Sequence, residues 1–130
     1  AAALAARLRA AVVLKGTPTV IHGPDGATPF VTATGTPVLA TGGSGDLLTG
    51  ITVTLLAQMD QPQAAAACAA WVHGRAAELV QLGSRDHPRR DARGLVLEDV
   101  VAALPAAWRL GSAAPQPPVL VELPAVEHRP

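Results

Sequence analysis

The sequence predicts an α/β fold in which short β-strands, two of them joined in a hairpin, are followed by packed helices. A continuous apolar run, Ala11-Val12-Val13-Leu14, has the composition of a strand in a sheet that is covered on both faces. Gly23-Pro24-Asp25-Gly26 lies between two short β-prone stretches and is a turn sequence. Pro62 and Gly83 bracket a long alanine-rich stretch and are residues that typically begin and end a helix.

Composition limits the class of protein. The chain has 130 residues and a formal net charge of zero, with 49% hydrophobic residues, which favours one packed domain over disorder. Neutrality gives no electrostatic basis for binding nucleic acid or an anionic membrane. The most apolar stretch, residues 64–72, is too short for a membrane span. A single cysteine, Cys68, excludes an internal disulfide and fits a reducing, cytoplasmic compartment.

The predicted strands lie in the first third of the chain. We expect a helix end over residues 1–10, a strand over 11–14, and hairpin strands over 19–22 and 30–33. Leu4 and Leu8 should form the apolar stripe of the helix. His22 should be a strand residue without a chemical role, since no other ligand-type side chain stands near it at metal-binding spacing.

Lys15 and Gly16 end the first predicted strand. In open α/β sheets, ligands bind outside the carboxyl ends of the strands, so the Lys15 cation is placed to meet a phosphate. The spacing alone leaves a solvated lysine at a strand end as the alternative.

Three helices are predicted in the remainder of the chain, over residues 45–59, 62–82 and 95–104. The first is apolar on most of its circumference, so it should be deeply buried. The second should face the core along a stripe of Ala65, Cys68, Val72, Ala76 and Leu79, which would make Cys68 a buried apolar side chain rather than a nucleophile. The third should end at Pro105.

Two segments are predicted to lie outside the packed elements. Residues 84–93 are polar with balanced charges, which is typical of a solvated loop. Residues 111–130 are rich in proline and are expected to form an extended or disordered tail, leaving residues 1–110 as the domain. Residues 1–10 are a poor signal peptide because arginines interrupt the apolar segment. Since the chain also lacks an initiator Met, we expect it to come from the interior of a longer gene product.

Residues 41–46 have the clearest chemistry, because glycines and a serine precede one carboxylate at the start of a predicted helix. Glycine lets a ligand approach the main chain, and the first amides of a helix are unbonded and partly positive. This pattern predicts an anion site, most naturally for phosphate. Asp46 cannot itself bind phosphate when ionised, and it fits better as a general base toward a substrate hydroxyl.

The same residues leave one other interpretation of the glycine loop open and exclude two. A common turn with an ordinary helix cap stays open from spacing alone. No Lys follows Gly45, which excludes the GxxxxGK[ST] loop, and Leu48 stands where a dinucleotide fingerprint needs its third glycine.

The stretch of residues 34–46 is similar to the signature of the ADP/ATP-dependent NAD(P)H-hydrate dehydratases, a family of the ribokinase-like superfamily. Ala40 and Ser44 favour this family, because sugar and vitamin kinases of the superfamily usually carry Asp and Ala at those positions. Thr36 and Val38 depart from the family, which often has Asn and Gly there. The resemblance extends from about Ala1 to about Leu104.

The resemblance implies that the chain is the C-terminal part of a ribokinase-like three-layer domain. It implies that Asp46 is the catalytic base, and that a nucleotide lies against two segments of the chain. The implied nucleotide-binding residues are Lys15, Gly16, Thr17, Pro18 and Thr19 in the first segment and Thr41, Gly42, Gly43, Ser44 and Gly45 in the second. His73, in a His-Gly pair, has a minor claim at the nucleotide end of the site.

The implied activity is the repair of hydrated NADH or NADPH. ADP or ATP, with Mg²⁺ held mainly by the nucleotide phosphates, would phosphorylate the ring hydroxyl, and loss of phosphate would restore the reduced nicotinamide. The enzymatic interpretation requires that the loop amides be free to meet an oxyanion and that Asp46 not point into bulk solvent.

Two alternatives stay open. One is a small-molecule kinase of the same superfamily, and the other is a truncated, non-catalytic nucleotide-binding fragment. A half-domain would expose apolar strand faces and an unpaired sheet edge. We therefore expect association with a partner that bears the missing N-terminal half, or a homo-oligomer.

Overall fold

The computed structural model describes residues 1–83 and 88–109 of the chain. The helices are α1 (Ala2–Leu8), α2 (Ser44–Leu56), α3 (Pro62–Leu82) and α4 (Leu97–Ala107), the strands are β1 (Val12–Leu14), β2 (Thr19–His22) and β3 (Phe30–Thr32), and 3-10 turns cover Pro37–Leu39 and Ala92–Gly94. Strands therefore precede packed helices, as the sequence predicts. Within the described ranges, no helix has both the length and the apolarity needed to cross a membrane.

The three strands form one antiparallel sheet in the order β1-β2-β3. Val13 pairs with Ile21, and Val20 pairs with Val31, so β2 is the central strand. In the connection from β2 to β3, Asp25 Oδ1 accepts from the amide of Ala27 at 3.1 Å, and Gly26 has a φ of 72°. Because glycine adopts this left-handed conformation without strain, the turn closes, and the predicted hairpin is confirmed.

Helix α3 is the centre of the packing. It lies against α2 on one side and α4 on the other, and it also contacts β2 and β3. Ala65 and Ala69 are fully buried, and their small side chains let the helix approach its neighbours closely. Ala65, Ala69 and Ile21 of β2 form one hydrophobic cluster. Val72 and Val100 belong to a second cluster between α3 and α4.

Both predicted ends of α3 are confirmed. Pro62 stands in its first turn, where the missing amide hydrogen costs no helical bond, and Gly83 follows its last residue with a φ of 80°. Gln63 in the first turn donates from Nε2 to the carbonyls of Ile21 and Thr28, at 3.2 Å each. The start of α3 is therefore tied to the hairpin.

The structure corrects several predictions of burial. Strand β1 is only half-buried rather than covered on both faces, and Leu14 is 55% exposed. Helix α2 buries one face instead of most of its circumference, leaving Val53 60% exposed. Cys68 is exposed although its predicted stripe neighbours are buried. In an alanine-rich helix the apolar residues surround the axis, so periodicity does not decide which face is covered.

The two outermost helices also differ from the predictions. In α1 the buried residue is Ala5, whereas Leu4 and Leu8 are exposed. Helix α4 continues past Pro105 to Ala107 instead of stopping there. The predicted loop 84–93 lies partly outside the described residues, and the predicted tail 111–130 lies wholly outside them.

The start of α4 is fixed by the side chain of Asp99. One of its carboxylate oxygens accepts from the amide of Val96 at 3.0 Å, and the other accepts from Arg90 Nη1 at 2.7 Å. The hydrogen bond from Val96 and the Arg90 guanidinium both favour the ionised form, so they lower the pKa of Asp99.

Candidate active site

The glycine loop enters α2 through Gly43. Gly43 is the residue before the first helical turn and has a φ of 81°, which side chains other than glycine rarely tolerate. A Cβ at this position would also lie 2.9 Å from Cδ2 of Leu97 in α4. The backbone conformation therefore requires glycine at this point, and a Cβ would in addition displace the Leu97 side chain.

The first turn of α2 has main-chain donors without main-chain acceptors. The amide of Leu47 donates to the carbonyl of Gly43 at 3.0 Å, and that of Ser44 donates to the carbonyl of Thr41 at 3.4 Å. In the described part of the chain, no main-chain carbonyl accepts from the amides of Gly45 or Asp46. These amides lie at the positive end of a thirteen-residue helix, so they are free to donate to an oxyanion. The amide of Ser44, a residue of the second implied nucleotide-binding segment, is engaged by the carbonyl of Thr41.

Lys15 brings a positive charge to the same place from a distant part of the chain. It directly follows β1 and is exposed. Its Nζ lies 3.3 Å from the position that a Cβ on residue 45 would occupy. An open groove of about 230 Å³ begins at this pair and continues along α2 past Leu48 to Val53. The groove therefore has a cationic end and a largely apolar wall.

The other residues of the first predicted segment form a compact turn beside Lys15. Thr19 Oγ1 accepts from the amide of Gly16 at 3.3 Å and donates to the carbonyl of Gly16 at 3.0 Å. Gly16, Thr17 and Pro18 are exposed, and the Thr17–Pro18 peptide bond is cis. The member of this segment that the structure places against Gly45 is Lys15.

His73 lies directly behind the glycine loop. It is 4% exposed, and its Nε2 is 3.4 Å from Oγ of Ser44, which is 2% exposed. Burial lowers the pKa of His73, and the nearby Lys15 cation lowers it further, so the imidazole is neutral near pH 7. From the sequence, His73 has only a minor claim through its His-Gly pair. Its partner lies 29 residues away, and no local pattern predicts that contact.

Asp46 stands in the first turn of α2, where a negative charge is favoured by the helix end. Its side chain is exposed in the described chain. The enzymatic interpretation has two requirements. The first is met, because the amides of Gly45 and Asp46 are free to bind an oxyanion in the described chain. The second is not met by the described residues, because the Asp46 carboxylate is exposed to solvent. Among the described residues, no three His, Cys, Asp or Glu side chains are grouped to hold a metal ion.

The model of the NAD(P)H-hydrate dehydratase family matches residues 1–86. The chain belongs to this family. The family and the fold class predicted from the sequence are therefore confirmed, and the loop, Lys15 and Asp46 lie within the matched region.

The chain is similar to members of this family that are known as sequences and as solved structures. It is 37% identical to the ADP-dependent (S)-NAD(P)H-hydrate dehydratase of Bacillus subtilis over 81% of its own length and 36% of the relative's. It is 39% identical to the bifunctional NAD(P)H-hydrate repair enzyme Nnr of Moorella thermoacetica over 84% of its own length and 19% of the relative's.

The solved structure of the B. subtilis ADP/ATP-dependent enzyme, co-crystallised with ATP/Mg²⁺, matches with a TM-score of 0.69 and 37% identity. That match covers 83% of this chain and 36% of the solved one. The chain thus spans between about a seventh and two fifths of the length of the relatives it matches.

Proposed function

We propose that this chain carries the phosphate-binding loop and the catalytic base of a nucleotide-dependent NAD(P)H-hydrate dehydratase. The substrate class is hydrated NADH or NADPH, and the phosphoryl donor is ADP or ATP with Mg²⁺. We also propose that the protein is cytoplasmic, as its single cysteine, Cys68, suggests.

One observation carries the proposal. The amides of Gly45 and Asp46, which have no main-chain acceptor among the described residues, lie at the positive end of α2, and the Lys15 ammonium lies against the same turn. Free amide donors and a cation at the same helical turn favour a multiply charged anion over a neutral ligand. Membership of the NAD(P)H-hydrate dehydratase family supports the terminal phosphates of an adenine nucleotide as that anion.

The residues present fit such a group. The absence of a side chain at Gly45 leaves the main chain open beside Lys15, since a Cβ there would lie only 3.3 Å from Nζ. When bound, the nucleotide with its Mg²⁺ supplies the phosphoryl group that turns a poor leaving group, the ring hydroxyl, into a good one. The protein offers no cluster of metal ligands within its described residues, so Mg²⁺ would be held mainly through phosphate oxygens.

In this proposal Asp46 accepts the proton of the substrate hydroxyl at a carboxylate oxygen. The amides of Gly45 and Asp46 would donate to phosphate oxygens of a bound nucleotide and stabilise their negative charge. Lys15 would neutralise part of that charge. Lys15 thus serves to bind the phosphoryl donor, and Asp46 serves to activate the acceptor. Variants of Lys15 should therefore lose nucleotide binding, whereas variants of Asp46 should lose turnover.

The acceptor side of the site needs additional protein in this proposal. Asp46 is exposed here, whereas a base that acts on a phosphoryl acceptor works best where water is excluded. Since the chain spans 36% of the solved B. subtilis enzyme, we propose that further polypeptide, on the same chain or on a partner subunit, covers Asp46 and completes the hydrate pocket.

Turnover tests the proposal. The chain, together with the polypeptide that completes the hydrate pocket, is incubated with hydrated NADH, Mg²⁺ and ADP or ATP, and the absorbance of the reduced nicotinamide is followed together with free phosphate. We expect both to rise in step, to vanish in Asp46→Asn, and to persist in the control Asp60→Asn, whose exposed carboxylate lies beyond the end of α2.

Three other outcomes would contradict the proposal. A phosphorylated product that persists would identify a small-molecule kinase. Nucleotide binding without turnover, even with the partner polypeptide supplied, would identify a binding fragment. Undiminished activity of Asp46→Asn would remove Asp46 from the mechanism.

A further inference from the structure

One stretch of α3 contacts both ends of the segment that carries the glycine loop. We call residues 34–44 the motif segment. Its first residues, Thr34 and Gly35, contact Trp71, Gly74 and Glu78, and its last residue contacts His73. The intervening residues form a 3-10 turn and the loop itself. Two turns of one helix therefore fix where the motif segment begins and where it ends.

The beginning of the motif segment is held by two hydrogen bonds. Thr34 Oγ1 donates to the carbonyl of Trp71 at 3.1 Å, and the amide of Gly35 donates to Glu78 Oε1 at 3.1 Å. Thr34 Oγ1 also lies 2.9 Å from Oγ1 of Thr32, the last residue of β3. Strand β3, the motif segment and α3 are thereby joined at one point.

Gly74 permits the close approach that these bonds require. A Cβ at this position would lie 2.5 Å from both the carbonyl carbon and the carbonyl oxygen of Thr34. Since those atoms belong to the main chain, they could not move aside without shifting the motif segment. The Gly74 position thus sets the distance between α3 and Thr34.

The end of the motif segment is held by a buried polar pair. Ser44 and His73 are 2% and 4% exposed, and each provides the hydrogen-bond partner that the other needs in the absence of water. Ser44 directly precedes Gly45 and Asp46, whose amides are free. A change in the position of Ser44 would therefore reorient those amides.

We propose that His73 is a positioning residue that holds Ser44, and through Ser44 the amides of Gly45 and Asp46, in the orientation that receives phosphate. The phosphate-binding role of those amides rests on the function proposed above. His73 itself lies behind the loop and acts on the ligand only through Ser44.

The uncharged state of the imidazole agrees with this role. A histidine that binds phosphate directly should be a cation. Burial and the Lys15 charge both lower the pKa of His73, so they favour the neutral form instead. A neutral imidazole can accept from or donate to the Ser44 hydroxyl with Nε2, and a Gln side chain offers both functions at a similar reach. Replacement by Gln should therefore preserve the pair, and replacement by Leu should abolish it.

The test uses two measurements on the same set of variants. Amide resonances of residues 43–46 are compared in the ¹⁵N-labelled chain without ligand, and the Kd for ADP with Mg²⁺ is measured by calorimetry. The variants are His73→Leu, His73→Gln, Ser44→Ala and the double variant Ser44→Ala/His73→Leu, with Cys68→Ala on the exposed side of α3 as the control.

We expect His73→Leu to shift the resonances of Gly45 and Asp46 and to weaken ADP binding roughly threefold to tenfold, the equivalent of one net hydrogen bond. His73→Gln and Cys68→Ala should match the wild type in both measurements. The double variant should bind ADP no more weakly than either single variant, since both remove the same contact.

Two results would overturn the inference. One is a folded His73→Leu chain whose loop resonances match those of the wild type, and the other is a double variant in which the two losses add. Failure of the proposed function would look different, because the wild-type chain would then not bind ADP, while the comparison of loop resonances would still decide whether His73 positions the amides.

Discussion

The Nζ atom of Lys15 lies 3.3 Å from the position that a Cβ on Gly45 would occupy. The two residues come from the end of β1 and the first turn of α2, and the hairpin of β2 and β3 separates them in the sequence. Folding therefore brings the exposed Lys15 cation next to the main-chain donors of α2. Lys15 contributes a charge to the anion site, and Gly45 contributes a main-chain donor. Variants of the two residues therefore have different expected effects.

Gly45→Ala should reduce nucleotide binding without destabilising the fold. The added Cβ would meet the flexible end of Lys15, which can move away, and alanine favours a helix over glycine by about 1 kcal/mol. We expect a higher Kd for ADP with an unchanged or raised Tm. The control Gly50→Ala, whose Cβ would meet nothing within 4 Å, should leave the Kd unchanged.

Lys15→Met should weaken ADP binding and raise the pKa of His73. The Lys15 charge is the smaller of two causes that lower this pKa, so burial should still keep it below the ordinary value of 6.5. The measurement is an NMR titration of the His73 imidazole in both chains. An unchanged titration curve in Lys15→Met would contradict the proximity of the two groups.

Acid should destabilise the chain partly through His73. Its pKa is lowered in the folded state, so the unfolded state takes up the proton first as the pH falls below the ordinary value of 6.5. The free energy of unfolding should therefore decrease over this range, until the folded state is protonated as well. Urea unfolding across the range checks the prediction, and His73→Gln should remove this contribution because glutamine does not titrate.

Gly74→Ala should destabilise the chain even though it improves helix propensity. The new Cβ would overlap the main chain of Thr34, and overpacking of this kind costs about 1–3 kcal/mol. Urea unfolding should give a lower free energy than the wild type, whereas Gly50→Ala, in open space on α2, should give an equal or higher one. Equal destabilisation by both substitutions would argue against the close packing of α3 on Thr34.

Features with local causes were predicted well. The hairpin follows from Pro24 and the Asp25-Gly26 pair, and the limits of α3 follow from Pro62 and Gly83. These residues act through backbone conformations that depend little on the rest of the fold. The glycine loop at the start of α2 was predicted for the same reason.

Features that depend on neighbouring elements were predicted poorly. Cys68 and Val53 are exposed because no described element covers their faces, and an apolar pattern alone contains no information on that point. The Ser44–His73 pair joins α2 to α3 across 29 residues, so local periodicity could not predict it. Pro105 is accommodated near the end of α4 instead of ending it.

Titration of the ¹⁵N-labelled chain with ADP and Mg²⁺, with adenosine as the comparison ligand, most directly tests whether the glycine loop and Lys15 bind nucleotide phosphates. The amide resonances of Gly45 and Asp46 should shift saturably with ADP and should not shift with adenosine. In Lys15→Met, a higher ADP concentration should be needed to shift them. Equal shifts with both ligands, or an ADP response that bypasses these amides, would contradict the phosphate-binding role.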